Sequence, residues 1–383
     1  MREMGGYIEL DTYRGTMMYD NAIKLNCGRN ALWYILKARN IKKILMPYFM
    51  CSSCDRIFDE QDVMVRKYSV DLNFLPWDIE RENDEWLYIV NYYGQLSEDQ
   101  ILTFGDKIIV DNSQAYFSKP IEGVDTFYSC RKFFGVADGA MLFTDKTMSV
   151  EEQDESFSRA GFLLGRYERP AGEFYSEYVR NNESFACEPI KRMSALTENL
   201  LRGIDYKYVM NRRSDNFMIL HSKLKDINML SLKVPEGAFM YPLMVDNASK
   251  LRTALINEKI YIPTLWQNVI DECVEGTTDH MLAANIIPLP VDQRYDDEDM
   301  EYVAEMKRRD LDVLSEFLVM AATLIDIKSK MLLPRTEKEE EEEEDPRAEL
   351  VQQLLEYKMY KCMANELKDR QLDAGKVWYK KKD

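Results

Sequence analysis

The first 145 residues alternate between short apolar runs and longer amphipathic stretches. Apolar runs at residues 44–46, 63–65, 87–90, 107–110, 126–128 and 140–143 predict strands. Residues 28–38, with Ala31, Leu32, Ile35 and Leu36 on one side, predict a helix, and residues 98–103 predict another. Strands that alternate with helices are typical of an α/β fold with a doubly wound, mostly parallel sheet.

The pattern changes after about residue 190. Residues 191–203, 209–224 and 248–258 predict helices, and residues 239–245 predict a strand. We therefore expect a large domain over residues 1–185 and a smaller α+β domain over residues 186–308. The polar and aromatic stretch 151–184 is expected to cover a site or a partner subunit.

Two side chains with complementary chemistry follow neighbouring strands. Asp111 closes the run 107–110, and Lys132 follows the run 126–128. In open α/β sheets, ligands bind at the carboxyl edge of the strands. Pyridoxal phosphate (PLP) chemistry uses a carboxylate to keep the ring nitrogen protonated and a lysine amine to bind the cofactor covalently. For either residue alone, a strand-end acid or a solvated lysine is the simpler interpretation.

Several ordered motifs resemble one family of PLP enzymes. They are the helix start at residues 25–32, the strand and proline at 44–49, the strand end at 90–94, the segment 111–114, and the segments 287–294 and 299–302. Together they resemble the DegT/DnrJ/StrS aminotransferases, which have the fold-type I PLP-dependent transferase fold. The resemblance runs from about residue 5 to residue 306.

The resemblance implies a cofactor site with Lys132 as its catalytic residue and no metal. The implied cofactor-binding residues are Gly28, Arg29, Asn30, Tyr48, Phe49, Asp111, Gln114 and Ser129. The helix start and the serine would bind phosphate, since helix N-termini favour anions. Asp111 would pair with the ring nitrogen and Gln114 would reach the ring hydroxyl, while an aromatic side chain would stack on the ring. The simpler alternatives are an ordinary helix start at residues 28–30 and core packing for the two aromatics.

The lysine segment departs from the usual family pattern. The spacing from Ser129 to Lys132 is shorter than in the usual Ser-Phe-His-x-x-Lys. Residues 128–139 instead resemble a subgroup found in surface-polysaccharide loci. The resemblance implies amino transfer from glutamate or a similar donor to a nucleotide-linked keto sugar by a homodimer. The open alternative is a catalytically silent protein of the same fold.

A second resemblance begins near residue 309. Residues 316–322 read Glu-Phe-Leu-Val-Met-Ala-Ala, and residues 354–358 read Leu-Leu-Glu-Tyr-Lys. About residues 309–370 resemble the middle of segregation and condensation protein A (ScpA), the bacterial kleisin that bridges an SMC ATPase and ScpB. We predict a helix at residues 309–334, an acidic linker at 335–346, and an amphipathic helix with a basic tail at 347–383. A natural fusion and a sequence-assembly join near residues 306–309 both predict this order, and binding to an SMC/ScpB-type partner is the alternative function.

The net charge and the cysteines of the chain bear on its binding partners and on its cellular compartment. The net charge of −17 argues against direct nucleic-acid binding, which needs clustered cations. The sequence has no apolar stretch of about 20 residues and no signal-peptide core at its start, so we expect a cytoplasmic protein away from membranes. Cys51 and Cys54 lack further zinc ligands at suitable spacing and the fold context of a thioredoxin motif. We interpret them as small residues that pack a helix start.

Overall fold

The computed structural model describes residues 5–246, 248–305 and 358–359. The chain divides near residue 307 into two units, and the fold below concerns the first unit. The predicted segments 309–334, 335–346 and 347–383 lie outside the described residues, except Lys358 and Met359, which are helical and exposed.

Most strands of the described chain belong to one mixed sheet of eight. In spatial order they are β1 (Ile23–Leu25), β8 (Ala140–Phe143), β7 (Asp125–Ser129), β6 (Ile108–Asp111), β5 (Trp86–Val90), β2 (Lys43–Pro47), β3 (Met64–Val70) and β4 (Pro76–Trp77). Strands β7, β6, β5, β2 and β3 run parallel, whereas β8, β1 and β4 pair antiparallel with their neighbours. The predicted mostly parallel α/β sheet is confirmed.

Helices cover this sheet and continue beyond it. The described helices are α1 (Gly28–Arg39), α2 (Asp55–Gln61), α3 (Glu98–Leu102), α4 (Gly161–Glu168), α5 (Tyr175–Ser184), α6 (Ala195–Arg202), α7 (Tyr206–Leu224), α8 (Ala248–Asn257), α9 (Gln267–Glu272), α10 (Thr278–Asn285) and α11 (residues 297–305). Helix α1 starts after the extended residue Cys27 and ends at Asn40, whose left-handed backbone lets its N–H reach the carbonyls of Leu36 and Lys37.

A second, smaller sheet joins β9 (Met240–Met244) to β10 (Ile286–Pro290). The antiparallel register sets Pro242 opposite Pro288. Two prolines suit a non-hydrogen-bonded pair of the ladder, because neither residue has a backbone N–H to donate. This sheet packs with α7, α8 and α11 around a separate apolar cluster. We call it the small cluster, and its buried members include Phe217, Leu243, Ile287, Leu289, Met300 and Val303. The boundary predicted at residues 185/186 remains a prediction.

Candidate functional site

Strands β6 and β7 bring the two predicted reactive side chains to one edge of the sheet. The strands are parallel, and Asp111 is in register with Phe127 on β7 and with Val90 on β5. The turns that leave β6 and β7 therefore emerge side by side at the carboxyl edge. Lys132 ends the short 3₁₀ turn Cys130–Lys132 that directly follows β7.

Asp111 is held by two hydrogen bonds. Tyr88 Oη donates to Asp111 Oδ2 at 2.7 Å, and the Ser113 backbone N–H donates to Asp111 Oδ1 at 2.7 Å. Burial raises the pKa of Tyr88 well above its ordinary value and the Asp111 carboxylate adds to the rise, so the phenol stays a donor. Because a carboxylate offers about four acceptor positions, Asp111 can still accept from a further group.

Ser113 connects the acid to the lysine. Lys132 Nζ lies 2.9 Å from Ser113 Oγ and 5.6 Å from the centre of the Phe239 ring. The same serine gives its backbone N–H to Asp111, so one residue contacts both reactive groups. Ser113 lies inside the segment 111–114, but nothing in the sequence alone assigned it a role.

The Gln114 side chain is buried beside the turn after β5. Its Oε1 accepts a hydrogen bond from the backbone N–H of Tyr93 at 3.1 Å. Tyr93 has a φ of 53°, in the left-handed region that costs energy for a residue with a side chain. Gln114 thus stabilises a strained turn through its oxygen, while its Nε2 group is a donor for another acceptor.

Gly28 and Ser129 meet where α1 begins. A Cβ atom on Gly28 would lie 3.4 Å from the Phe127 ring and 3.9 Å from Ser129 Cβ. Both contacts come from β7, so this strand and the first turn of α1 lie against each other. The backbone N–H groups at a helix start are free donors unless a cap satisfies them, and the Cys27 side chain makes no cap hydrogen bond.

The next two predicted phosphate contacts differ in their surroundings. Arg29 Nε is buried without a hydrogen-bond partner among the described residues. Asn30, by contrast, is fully engaged, because its amide donates to Pro189 O at 2.7 Å and to Asn26 Oδ1 at 3.0 Å. The Asn30 amide thus holds the segment before α6, and its predicted contribution to a phosphate site stays a prediction.

The two aromatic candidates after β2 also separate. Tyr48 is 41% exposed, and Lys67 Nζ lies 5.8 Å from the centre of its ring. Phe49 is 1% exposed and packs edge-on against Trp266, with ring centres 4.5 Å apart. Phe49 is thus packed among other aromatics of the core, and the predicted stacking of Tyr48 or Phe49 on a cofactor ring stays a prediction.

Two side chains, Arg213 of α7 and Gln293, bind the backbone of the residue after the lysine, and we call this pair the clamp. Arg213 Nη2 and Gln293 Nε2 both donate to the Phe133 carbonyl, at 3.2 and 2.9 Å, and Arg213 Nε donates to Gln293 Oε1 at 2.7 Å. Arg213 is 2% exposed, and burial lowers its pKa to about 10. No local pattern predicts this clamp, because Phe133 lies 80 residues from Arg213 and 160 residues from Gln293 along the chain.

We call residues 130–139, which join β7 to β8 and include Lys132, the lysine loop. Its far end is anchored to α6. Asp138 is fully buried and accepts hydrogen bonds from the Ser194 N–H at 2.8 Å, from Ser194 Oγ at 2.7 Å and from Thr197 Oγ1. Asn181 Nδ2, at the end of α5, donates to Ala137 O at 2.9 Å. The predicted covering stretch 151–184 thus contacts the loop that carries Lys132.

No helix in the described part of the chain has the length and apolar character needed to cross a bilayer. Over residues 5–246 and 248–305, no group of three or more His, Cys, Asp or Glu side chains is arranged to hold a metal ion.

Comparison with solved structures places the fold. A DegT DnrJ EryC1 StrS aminotransferase from Brucella abortus matches with a TM-score of 0.50 and 16% identity, covering 75% of this chain and 85% of that chain. A sugar aminotransferase from Micromonospora echinospora matches with a TM-score of 0.51 and 14% identity, covering 76% and 87%. GDP-4-keto-6-deoxy-D-mannose-3-dehydratase from E. coli, with bound hydrated PLP, matches with a TM-score of 0.52 and 15% identity, covering 74% and 87%. At these identities the likeness shows the fold.

The C-terminal part matches another kind of protein. The family model of segregation and condensation protein ScpA matches residues 285–383, so this likeness begins earlier than the predicted residue 309. Segregation and condensation protein A of Clostridium acetobutylicum is 57% identical over 84 residues, covering 21% of this chain and 34% of that protein. The Bacillus licheniformis protein is 43% identical over 121 residues, covering 28% and 48%. The chain thus spans a third to a half of the length of these relatives, and it joins an aminotransferase-type fold to a C-terminal segment similar to segregation and condensation protein A.

Proposed function

We propose that the first unit is a PLP-dependent aminotransferase acting on a keto sugar. The observation that carries this proposal is the meeting of Asp111 and Lys132 at one sheet edge, where Ser113 contacts both. A carboxylate and an amine at the carboxyl edge of a parallel sheet are the two groups that this cofactor needs most.

The residues around this edge fit the cofactor. Asp111 retains acceptor positions for a protonated ring nitrogen, and Gln114 Nε2 is a donor suited to the ring hydroxyl. Gly28 at the start of α1 and Ser129 at the end of β7, which lie against each other, would hold the phosphate. Arg29 carries a buried Nε group without a described partner, which an anion near the same helix start would satisfy.

PLP, when bound, supplies an electron sink that makes the substrate carbon acidic. Lys132 Nζ would bind the cofactor covalently and, once free, take up and return the proton of that carbon. Ser113 Oγ accepts from Nζ and so orients the amine toward the same edge as Asp111. Tyr88 and the Ser113 N–H hold the carboxylate in place, so Asp111 does not have to reorganise when it meets a positive charge.

The matched structures support a proposal for the substrate class. Their printed names include sugar aminotransferases and a dehydratase of a nucleotide-linked keto sugar. We propose a nucleotide-linked keto sugar as acceptor, with glutamate or a similar amino donor, in surface-polysaccharide synthesis in the cytoplasm. Incorporation of donor nitrogen into the product would indicate transfer, whereas loss of the sugar hydroxyl without nitrogen would indicate a dehydratase.

Borohydride trapping tests the central assignment. The full chain with PLP should develop a visible absorption band, and reduction followed by peptide mapping should label the peptide that contains Lys132. Lys132→Ala should lose the label and reduce transfer by about 10²–10⁴-fold, the range for removing a proton-transfer group. Lys119→Ala, at an exposed lysine after the same β6 turn, is the matched control and should keep both. A label on another lysine, or none with PLP in excess, would overturn the proposal.

Asp111→Asn separates cofactor binding from chemistry. An amide cannot balance the charge of a ring nitrogen, but the groups at the start of α1 remain. The variant should retain PLP and lose transfer activity. Full activity in this variant would show that Asp111 is only a strand-end acid.

We also propose that the active form is a homodimer, since C2 pairing is the common arrangement for soluble oligomers. Exposed aromatics on the stretch that contacts the lysine loop, such as Tyr167 at 94% and Tyr175 at 65%, favour a protein contact there. Sedimentation at micromolar concentration tests this state, and a monomer would count against it.

A second function is favoured by the C-terminal similarity. At 57% identity over 84 residues, residues within 285–383 retain enough of the segregation and condensation protein A sequence to propose binding to an SMC/ScpB-type partner. Purified ScpB from a species with a matched relative should bind the full chain and not a chain that ends near Arg309. If both chains bind ScpB equally or neither does, this second function is wrong. The shorter chain should still bind PLP with an unchanged spectrum.

A further inference from the structure

Two cysteines border a tight turn between β2 and α2. Residues Ser52–Cys54 form a 3₁₀ turn, and Cys51 is the residue that precedes it. Cys51 itself is extended, with a ψ of 150°, but its α-carbon begins the turn, and a 3₁₀ turn rises about 2 Å per residue over the three residues to Cys54. Their α-carbons are therefore about 6 Å apart, within the span that a disulfide bridges.

The sulfur atoms share one neighbour. Ser53 Oγ lies 3.0 Å from Cys51 Sγ and 4.0 Å from Cys54 Sγ. The two thiols differ in access, because Cys51 is exposed and Cys54 is 7% exposed. An outer thiol that meets solvent beside an inner thiol that is shielded is the arrangement of an attacking and a resolving cysteine.

The pair lies near the acid edge of the candidate site. Burial raises the pKa of the Cys54 thiol, and the Cys51 and Asp111 charges raise it further. The same two sulfurs also contribute to the raised pKa of Tyr88, whose phenol donates a hydrogen bond to Asp111. The thiols are thus within electrostatic range of the Asp111 carboxylate.

We propose that Cys51 and Cys54 form a reversible disulfide when a peroxide reaches the exposed thiol. The Cys51 thiolate attacks one peroxide oxygen, the S–O bond forms, the O–O bond breaks, and water leaves after protonation. Cys54 then attacks the Cys51 sulfur, the S–S bond forms, the S–O bond breaks, and a second water leaves. Two thiols are oxidised while one hydrogen peroxide is reduced to two waters. The bond can form whether or not PLP binds, so this site and the proposed enzyme activity can fail separately.

Peroxide titration of the full chain tests the disulfide. Treatment with hydrogen peroxide should remove two free thiols, and non-reducing peptide mapping should show one fragment in which Cys51 is bonded to Cys54. Dithiothreitol should restore both thiols. The chain's other exposed thiol among the described cysteines provides the matched control, because Cys187→Ser should leave the loss of two thiols unchanged.

Cys51→Ser and Cys54→Ala should each abolish the bonded fragment. Cys51→Ser changes an exposed side chain, so it keeps the test valid if the buried Cys54→Ala variant does not fold. In Cys54→Ala, Cys51 should instead be trapped by a sulfenic-acid reagent such as dimedone. Trapping of Cys51 in the unaltered chain while Cys54 remains open to alkylation under denaturing conditions would overturn the proposal. A Cys51–Cys187 fragment in place of the predicted one would overturn it as well.

Discussion

Replacement of Arg213 by methionine should loosen the lysine loop and destabilise the first unit. The substitution keeps most of the side-chain volume in a site that is 2% exposed, but it removes every donor of the guanidinium. Gln293 Oε1 and Ala238 O would lose donors that now lie 2.7 and 2.9 Å away. The Phe133 carbonyl would keep the Gln293 amide as its remaining donor.

The expected cost follows from those acceptors. A buried acceptor left without a partner costs about 1–3 kcal/mol; this applies in full to the buried Ala238 carbonyl and in part to the half-buried Gln293 Oε1, which gives about 2–5 kcal/mol together. Part of this cost is offset, because the variant no longer buries a guanidinium that burial penalises. We therefore expect a loss of about 2–4 kcal/mol in the free energy of unfolding.

Urea unfolding of the full chain, followed by near-ultraviolet circular dichroism, measures this change. Lys223→Met is the matched control, because it makes the same replacement on the same helix at a half-exposed lysine paired with Glu301. An exposed pair contributes about 0–1 kcal/mol, so the control should unfold near the unaltered chain. Borohydride trapping at Lys132 gives an independent readout, and it should fall in Arg213→Met only. Equal stability of the two variants, or unchanged trapping in Arg213→Met, would refute the role of the clamp.

Two further substitutions test hydrogen bonds around the sheet. Tyr88→Phe removes a donor to the charged Asp111 and should lower the free energy of unfolding by about 1.5–3 kcal/mol. Tyr68→Phe removes a buried donor to the uncharged Tyr88 carbonyl and should lower it by about 0.5–1.5 kcal/mol. Equal losses in urea unfolding would contradict the stronger bond expected for a charged acceptor. Arg66 donates twice to Glu85, at 2.8 and 2.7 Å, and this contact lowers the pKa of the buried carboxyl. A carboxyl whose pKa is lowered by folding stabilises the fold at pH values above its ordinary pKa of about 4. This stabilisation is lost as the pH falls through the pKa of the folded state. The stability advantage of the unaltered chain over Glu85→Gln should therefore shrink below about pH 4, and a gap independent of pH would show that the ion pair contributes nothing.

Local patterns predicted the large sheet well where strands are buried on both faces. Residues 140–143 match β8, and residues 28–38 match α1 to within one residue. Strand β3 was predicted too short, since the polar residues Arg66, Lys67 and Ser69 interrupt its apolar pattern. Strand β10 was missed because its two prolines argue against a strand, yet a two-stranded sheet leaves them room.

The site was predicted in part for a related reason. Asp111 and Lys132 could be placed at one edge because each follows a predicted strand, and the carboxyl ends of parallel strands lie at the same edge of a sheet. The link through Ser113 and the clamp at Phe133 depend on side-chain directions and on contacts between distant segments. The enclosure of Phe49 by Trp266 is another such contact, and local sequence did not distinguish it from the exposed setting of Tyr48.

The C-terminal border of the aminotransferase-type unit lies inside the segment that resembles segregation and condensation protein A. The family model of that protein begins at residue 285, but residues 286–290 form β10 and pair with β9. Residues 297–305 form α11, which buries Met300 and Val303 in the small cluster. An apolar strand followed by an amphipathic helix satisfies the small cluster whichever family supplied the sequence, because burial depends on the pattern of apolar positions and not on ancestry. Residues 286–290 and 297–305 are therefore structural parts of the first unit, which ends where the chain divides near residue 307.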